Sequence, residues 1–151
     1  RSMLETVWQA TNGPVVVKPH PQDGGTRTAT WLKSCAAQYP NLSVINANIH
    51  DILSTCSRVV TINSAVGIEA YLHRKPLILC GQSDFHHIAE TVQTPAALAA
   101  ALNAPIKARP YDKFIYWYFA QQCLSVSDTD LMAAFSARLA AQGYVLEGQR
   151  P

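Results

Sequence analysis

Four short apolar segments alternate with segments of helical periodicity, and this alternation restricts the fold more than any other feature of the chain. The segments are residues 15–17, 42–46, 58–62 and 77–80, and they are rich in valine, isoleucine and leucine. Apolar runs of this kind are typical of strands that are buried on both faces of a parallel sheet. Because short connections join these strands to the helices, the sequence predicts an α/β layer fold with a parallel sheet.

Helical periodicity and helix stop signals predict the remaining elements. Between the strands, helices are predicted over residues 28–39, 49–56 and 64–74. The tail predicts three more, over residues 95–102, 111–124 and 128–142. The last helix has Ser127 or Asp128 as its N-cap and Gly143 as its stop. We therefore expect a single domain over residues 1–151 that carries a C-terminal helical extension, residues 111–143.

Composition argues against several classes of protein. With 48% hydrophobic and 15% charged residues, the chain of 151 residues is globular rather than disordered. A net charge of +2 without charge runs argues against a nucleic-acid partner. The four cysteines lack zinc-type spacing, so we expect free thiols in a reducing compartment. Without a signal peptide or a membrane-length apolar run, we expect a cytoplasmic protein, with peripheral contact at the inner membrane left open.

The first predicted strand ends in the sequence Lys18-Pro19-His20-Pro21. In an open α/β sheet, ligands bind beyond the carboxyl ends of the strands. The two prolines fix φ and stiffen the loop, so His20 is held in place. His20 can donate to a phosphate, base or sugar oxygen, and Lys18 adds a positive charge. The alternative is a rigid turn whose histidine caps a neighbouring helix.

The third predicted strand ends at Asn63-Ser64, and a helix with small residues in its first turn follows at once, including Ala65 and Gly67. Unpaired N–H groups at a helix start, together with the Ser64 hydroxyl, can hold a phosphate. Gly67 costs about 1 kcal/mol relative to alanine, which indicates close approach of a ligand or of the neighbouring strand. The Glu69 carboxylate can accept hydrogen bonds from ribose hydroxyl groups. The alternative is an ordinary capped helix with a packing glycine.

The ends of the first and third predicted strands are expected to lie close together. In a doubly wound sheet the first and third strands can lie side by side, which would bring His20 and Ser64 to a single anion-binding pocket. We expect no metal in this pocket, because no Asp-x-Asp pair stands out as a metal site and the adjacent His86 and His87 chelate one ion poorly.

The segments "VVVKPHP", "DILSTCSRVVTINSAVGIEAYLHRKPLILCG" and "YDKFIYWYFAQQCL" resemble the capsule polysaccharide biosynthesis proteins of bacteria, which include Kdo transferases. The resemblance covers residues 15–124. Its most specific part is a strand, then Ser-x-x-Gly-x-Glu, a helix, Lys-Pro and another strand. The His-Pro pair is also similar to one in bacterial sialyltransferases that use CMP-sugars.

The resemblance implies a Rossmann-like three-layer domain that forms the donor-binding half of a GT-B glycosyltransferase. His20 and Pro21 match the motif expected at CMP, and Ser64 matches the phosphate-binding serine. Gly67 and Glu69 match the rest of that motif, and Lys18 is a weaker match. The expected donor site also includes Asn63 and Ala65.

The same resemblance implies CMP-Kdo as donor substrate, a lipid-linked acceptor and no required cofactor. The family's acidic catalytic groups are expected in an N-terminal acceptor domain, so we assign no general base to this chain and expect it to be inactive alone. Two alternatives stay open. One is a GT-B half that uses a UDP-sugar, as a transferase or an epimerase-like domain, and the other is a non-catalytic assembly module of capsule synthesis and export.

Overall fold

The chain divides into two compact units, Arg1–Tyr111 and Asp112–Pro151. The structure is a computed structural model that describes residues 2–20, 22, 25–127 and 129–144. Pro21 and Asp128, which carry a binding and a capping prediction, lie outside the described residues.

The first unit alternates strands and helices, as the sequence predicts. Its strands are β1 (Val15–Val17), β2 (Leu42–Val44), β3 (Val59–Thr61), β4 (Leu77–Leu79) and β5 (Glu90–Thr91). Its helices are α1 (Ser2–Ala10), α2 (Thr26–Gln38), α3 (Ile49–Thr55), α4 (Val66–Leu72) and α5 (Pro95–Asn103), with a 3₁₀ turn at His86–Ile88. Sequence analysis predicts neither α1 nor β5, and β5 escapes it because its two residues are polar and exposed.

All strand pairs described are parallel, in two sheets. β1 pairs with β2, with Val15 opposite Leu42. The second sheet has the order β3-β4-β5, with Val59 opposite Leu77. The predicted α/β class with parallel strands is confirmed, and the arrangement is consistent with a Rossmann-like domain. Within the described residues, however, β1 is hydrogen-bonded to β2 and not to β3, so the first and third strands do not form a hydrogen-bonded pair. Val15 and Val17 of β1 nevertheless pack in the same apolar cluster as Val60 of β3.

The core of the first unit lies where the strands and two helices meet. Every residue of β4 is buried, as expected for a central strand of a parallel sheet. Trp8 of α1 and Leu98 of α5 are buried in one apolar cluster with Val15 and Ile78. Because α1 packs against α5, the two ends of the first unit are joined through this core.

In the second unit, the residues that the structure describes form helices and no strand. α6 (Tyr111–Tyr116) starts at the last residue of the first unit and continues into a π-helical turn, Trp117–Gln122. α7 (Leu131–Ala141) begins three residues later than predicted, and its N-cap is Asp130, whose Oδ1 accepts the Ala133 N–H. The predicted stop at Gly143 is confirmed, because this residue has a φ of 85° directly after the helix.

Candidate functional site

A cavity of about 300 Å³ opens at the carboxyl ends of β1 and β2. His20 lines it from the loop after β1, Asn46 from the loop after β2, and Thr28 from the first turn of α2. The Ile45 N–H donates to Val17 O at 3.0 Å, which extends the β1–β2 ladder and holds the second loop beside the first. This is the edge at which open parallel sheets bind ligands.

His20 is oriented by the backbone of its own loop. The Gln22 N–H donates to its Nδ1 at 3.1 Å. Because Nδ1 accepts a hydrogen bond, the ring proton of the neutral imidazole lies on Nε2. His20 therefore presents one defined donor, its Nε2–H, at an exposed side chain beside the cavity. Among the described hydrogen bonds, none joins His20 to the end of a helix.

The start of α2 forms a second wall of the cavity, and the sequence analysis does not predict it. α2 has 13 residues, and its N-cap is Gly25, which brings no capping side chain. The Thr28 and Ala29 N–H groups both donate to Gly25 O, so the helix winds from this residue. The positive end of the helix dipole lies at this wall. The adjacent glycines before Thr26 were the available signal, because glycine is accepted at N-cap positions.

Ser64 stands at the start of α4, as predicted, but its hydroxyl is turned to its own helix. Ser64 Oγ accepts the Val66 N–H at 3.4 Å, and the Ser64 N–H donates to Thr61 Oγ1 at 3.4 Å. Ala65 occupies the N-cap position. Asn63 and Ser64 are exposed, and the described lining of the His20 cavity contains no residue from this segment. The described lining of this cavity therefore joins His20 to the start of α2 and does not include Ser64.

Gly67 is buried, and the close approach predicted for it comes from the protein itself. A Cβ built at this position would lie 2.5 Å from Phe85 Cε2 and 2.8 Å from Leu77 Cδ2. Of the two explanations that the sequence leaves open, packing by a neighbouring strand and ring accounts for this glycine.

Glu69 lies on the face of α4 that meets α3. Its Oε2 is 4.0 Å from Nε2 of His50, near the start of α3. Nδ1 of His50 is in turn 3.0 Å from Nε2 of His73, the C-cap residue of α4. The sequence analysis names Glu69 but misses its contact with His50, because nothing local in the sequence indicates which helices pack together.

Lys18 is half-buried just after β1, and it is not among the described residues that line the cavity. In the part of the chain that the structure describes, no three histidine, cysteine, aspartate or glutamate side chains are grouped so that they could hold a metal ion. The helices described are also too short or too polar to cross a membrane.

A buried tyrosine supports the helix that carries Glu69. The Tyr71 hydroxyl donates to Phe85 O at 3.0 Å, and both side chains are buried. Burial raises the pKa of Tyr71 strongly, and Tyr111 beside it raises that pKa further while Arg109 lowers it. The same Phe85 fills the space above Gly67, so α4 has a fixed position against β4.

Comparison with known proteins agrees with the motifs. The family model of capsule polysaccharide biosynthesis proteins matches residues 1–125, which include β1, β3 and both predicted binding segments. No curated protein and no solved structure matches the chain. A match over this share of the chain establishes the family: this chain belongs to the capsule polysaccharide biosynthesis proteins.

Proposed function

We propose that this chain is the donor-binding domain of a GT-B capsule polysaccharide glycosyltransferase that uses a CMP-sugar, with Kdo as the sugar transferred to a lipid-linked acceptor. The observation that carries the proposal is the geometry of His20. Within the described residues, its Nε2–H has no hydrogen-bond acceptor, and the ring lies beside a cavity at the carboxyl edge of β1 and β2. A nucleotide is rich in acceptors, and this is the edge at which α/β domains bind nucleotides.

The chemistry of the cavity fits the leaving group of such a reaction. When the bond between sugar and CMP breaks, negative charge develops on the phosphate. A neutral imidazole that donates through Nε2 and the positive end of α2 both stabilise an anion in this cavity. No metal is required for either contribution. The apolar lining from Leu32 and Val44 supports the face of a base or sugar.

In this proposal the donor site extends beyond the cavity. Ser64 and Glu69 lie on the β3–α4 segment, where Ser64 binds the phosphate and Glu69 binds the ribose. Asn63, Ala65 and Lys18 line the rest of the proposed donor site. The acceptor and the general base belong to the N-terminal acceptor domain or a partner chain, because transfer needs donor and acceptor held together in a dry cleft. The domain would work in the cytoplasm, where it meets the lipid-linked acceptor at the inner membrane.

Titration calorimetry with CMP and UDP tests the proposal. We expect CMP to bind and UDP to bind at least about tenfold more weakly. His20→Ala removes the Nε2–H donor, so the affinity for CMP should fall by about 10- to 100-fold, as expected for a hydrogen bond to a charged ligand. His87→Ala is the matched control, because His87 is exposed and lies outside the cavity lining.

The outcomes separate the candidate functions. Stronger binding of UDP than of CMP would favour the UDP-sugar alternative. Binding of neither nucleotide would favour a non-catalytic assembly module. If CMP binds His20→Ala and the parent equally well, His20 is not part of the donor site.

A further inference from the structure

We infer that His50 is a positioning residue that orients the Glu69 carboxylate toward the ribose hydroxyl groups of the donor, and that the cluster of His73, His50 and Glu69 makes the site selective for a ribonucleotide. The inference rests on the proposed function, since it concerns the same nucleotide. It adds a residue that neither the motifs nor the family match singles out.

The three side chains form one continuous chain between α3 and α4. His50 and His73 are joined by a 3.0 Å nitrogen–nitrogen contact, and their ring centroids lie 5.3 Å apart. Nε2 of His50 then lies 4.0 Å from Oε2 of Glu69. Glu69 and His73 are four residues apart, so they project from the same face of α4.

The inference assigns one arrangement of protons to these contacts. With its proton on Nε2, His50 turns an N–H toward the carboxylate 4.0 Å away, and its Nδ1 accepts the Nε2–H of His73. In this arrangement His73 orients the ring of His50, and the His50 N–H attracts the carboxylate electrostatically. The Glu69 side chain is 36% exposed, so its second oxygen can still reach a ligand.

The cluster is connected to the His20 cavity by a short loop. Asn46 lines that cavity, and His50 follows it by only four residues. Between them, Asn48 caps α3 by accepting the His50 N–H on its Oδ1 at 2.9 Å. His50 thus follows the cavity residue Asn46 closely in the chain, and the inference places the ribose of the bound nucleotide at the start of α3, beside Glu69.

The two helices are also joined at a second point. Lys75 Nζ donates to Ser54 O at 3.0 Å, which ties the residue after α4 to the end of α3. The contacts His50–His73 and Ser54–Lys75 join α3 to α4 at two points, so the two helices that carry His50 and Glu69 are held together in the protein without a ligand. Such preorganisation raises affinity by lowering the entropy lost on binding.

The chemistry points to a ribose. An ionised carboxylate only accepts hydrogen bonds, and the adjacent 2′ and 3′ hydroxyl groups of a ribose are two donors at one place. A bare phosphate would be repelled by the same carboxylate. The cluster thus predicts preference for CMP over 2′,3′-dideoxy-CMP, which keeps the base and phosphate but lacks both donors.

The test compares binding of CMP and 2′,3′-dideoxy-CMP to the full chain by titration calorimetry. For the parent we expect at least about tenfold preference for CMP, the magnitude of a hydrogen bond to a charged group. Glu69→Gln and His50→Leu should each reduce this preference to below about threefold. His50→Gln, which keeps an N–H donor for the carboxylate, should retain part of it, and His87→Ala should retain all of it.

The two proposals can fail separately. If the parent does not bind CMP, the proposed function is wrong and the inference falls with it. If the parent binds CMP with the expected preference and His50→Leu keeps that preference, only the positioning role of His50 is wrong. Thermal melting of each variant checks that it is folded, and His50 is exposed, so its replacement leaves the core intact.

Discussion

At the scale of single residues, Gly67 is what allows α4 to approach the sheet. Gly67→Ala would place a methyl group against the Phe85 ring and Leu77. Overpacking of this kind costs about 1–3 kcal/mol, which exceeds the roughly 1 kcal/mol that alanine contributes to a helix. We expect the free energy of unfolding to fall, as measured by urea denaturation. Gly67→Ala combined with Phe85→Leu should recover part of the loss, and an unchanged stability of the single variant would contradict the packing explanation.

Arg74 follows α4 in a conformation that suits glycine better. Its φ is 53°, and the helix ends in a Schellman motif in which the Lys75 N–H donates to Ala70 O and the Arg74 N–H donates to Tyr71 O. A side chain in this left-handed region costs about 1–2 kcal/mol.

We expect Arg74→Gly to raise the free energy of unfolding by about 1 kcal/mol and to raise Tm, since glycine adopts this φ without steric cost. Gly143 is the matched control. It ends α7 with the same pair of hydrogen bonds at a φ of 85°, so Gly143→Ala should destabilise its helix. A drop in Tm for Arg74→Gly would show that contacts of the arginine side chain outweigh the backbone strain.

At the scale of elements, α5 is capped at both ends by side chains. Thr94 Oγ1 accepts the Ala97 N–H at 3.1 Å at the N-terminus, and Pro95 occupies the first turn. At the C-terminus, Arg58 donates to Ala101 O at 3.1 Å and also to Ala104 O. The helix that these residues cap packs against α1 in the core.

We expect Thr94→Ala to lower the free energy of unfolding by about 1 kcal/mol, because a first-turn N–H of α5 loses its acceptor. Thr6→Ala is the control: Thr6 lies inside α1 and its hydroxyl donates to Ser2 O, so alanine should be neutral or slightly stabilising there. Chemical denaturation of both variants measures the difference. Equal effects at both positions would show that the cap of α5 contributes nothing specific.

At the scale of the whole molecule, stability should decrease in alkaline solution. Burial raises the pKa of the Cys56 and Cys80 thiols above 9.0 and that of the Tyr71 and Tyr111 hydroxyls above 10.0. A raised pKa means that the folded state holds these protons more tightly than the unfolded state. The resulting stability is therefore complete below about pH 9 and is lost as pH rises above these ordinary values.

Urea denaturation between pH 7 and 11 measures this loss. In Tyr71→Phe, the free energy of unfolding should decrease less steeply with pH above pH 10, because the group with the most strongly raised pKa is removed. At pH 7 the free energy of unfolding should fall, because the hydrogen bond to Phe85 O is lost. An identical alkaline slope in the variant would exclude Tyr71 as its cause.

Local sequence patterns determined the class of fold and most of its elements. β1 has the predicted bounds, and the predicted strands at 42–46, 58–62 and 77–80 each contain the observed one. The motifs also determined the family, which the family match confirms. These elements can be predicted from the sequence because periodicity, caps and turns involve residues that are close in the chain.

Only the tertiary structure decided which of these elements meet. The order of strands, the wall that Thr28 and Asn46 form beside His20, and the contact of His50 with Glu69 all join residues far apart in sequence. These contacts depend on how sheets and helices pack, and three-residue strands carry too little pattern to specify their neighbours. The explanation of Gly67 has the same origin, since whether a glycine meets a ligand or the ring of Phe85 is set by packing and not by its own segment.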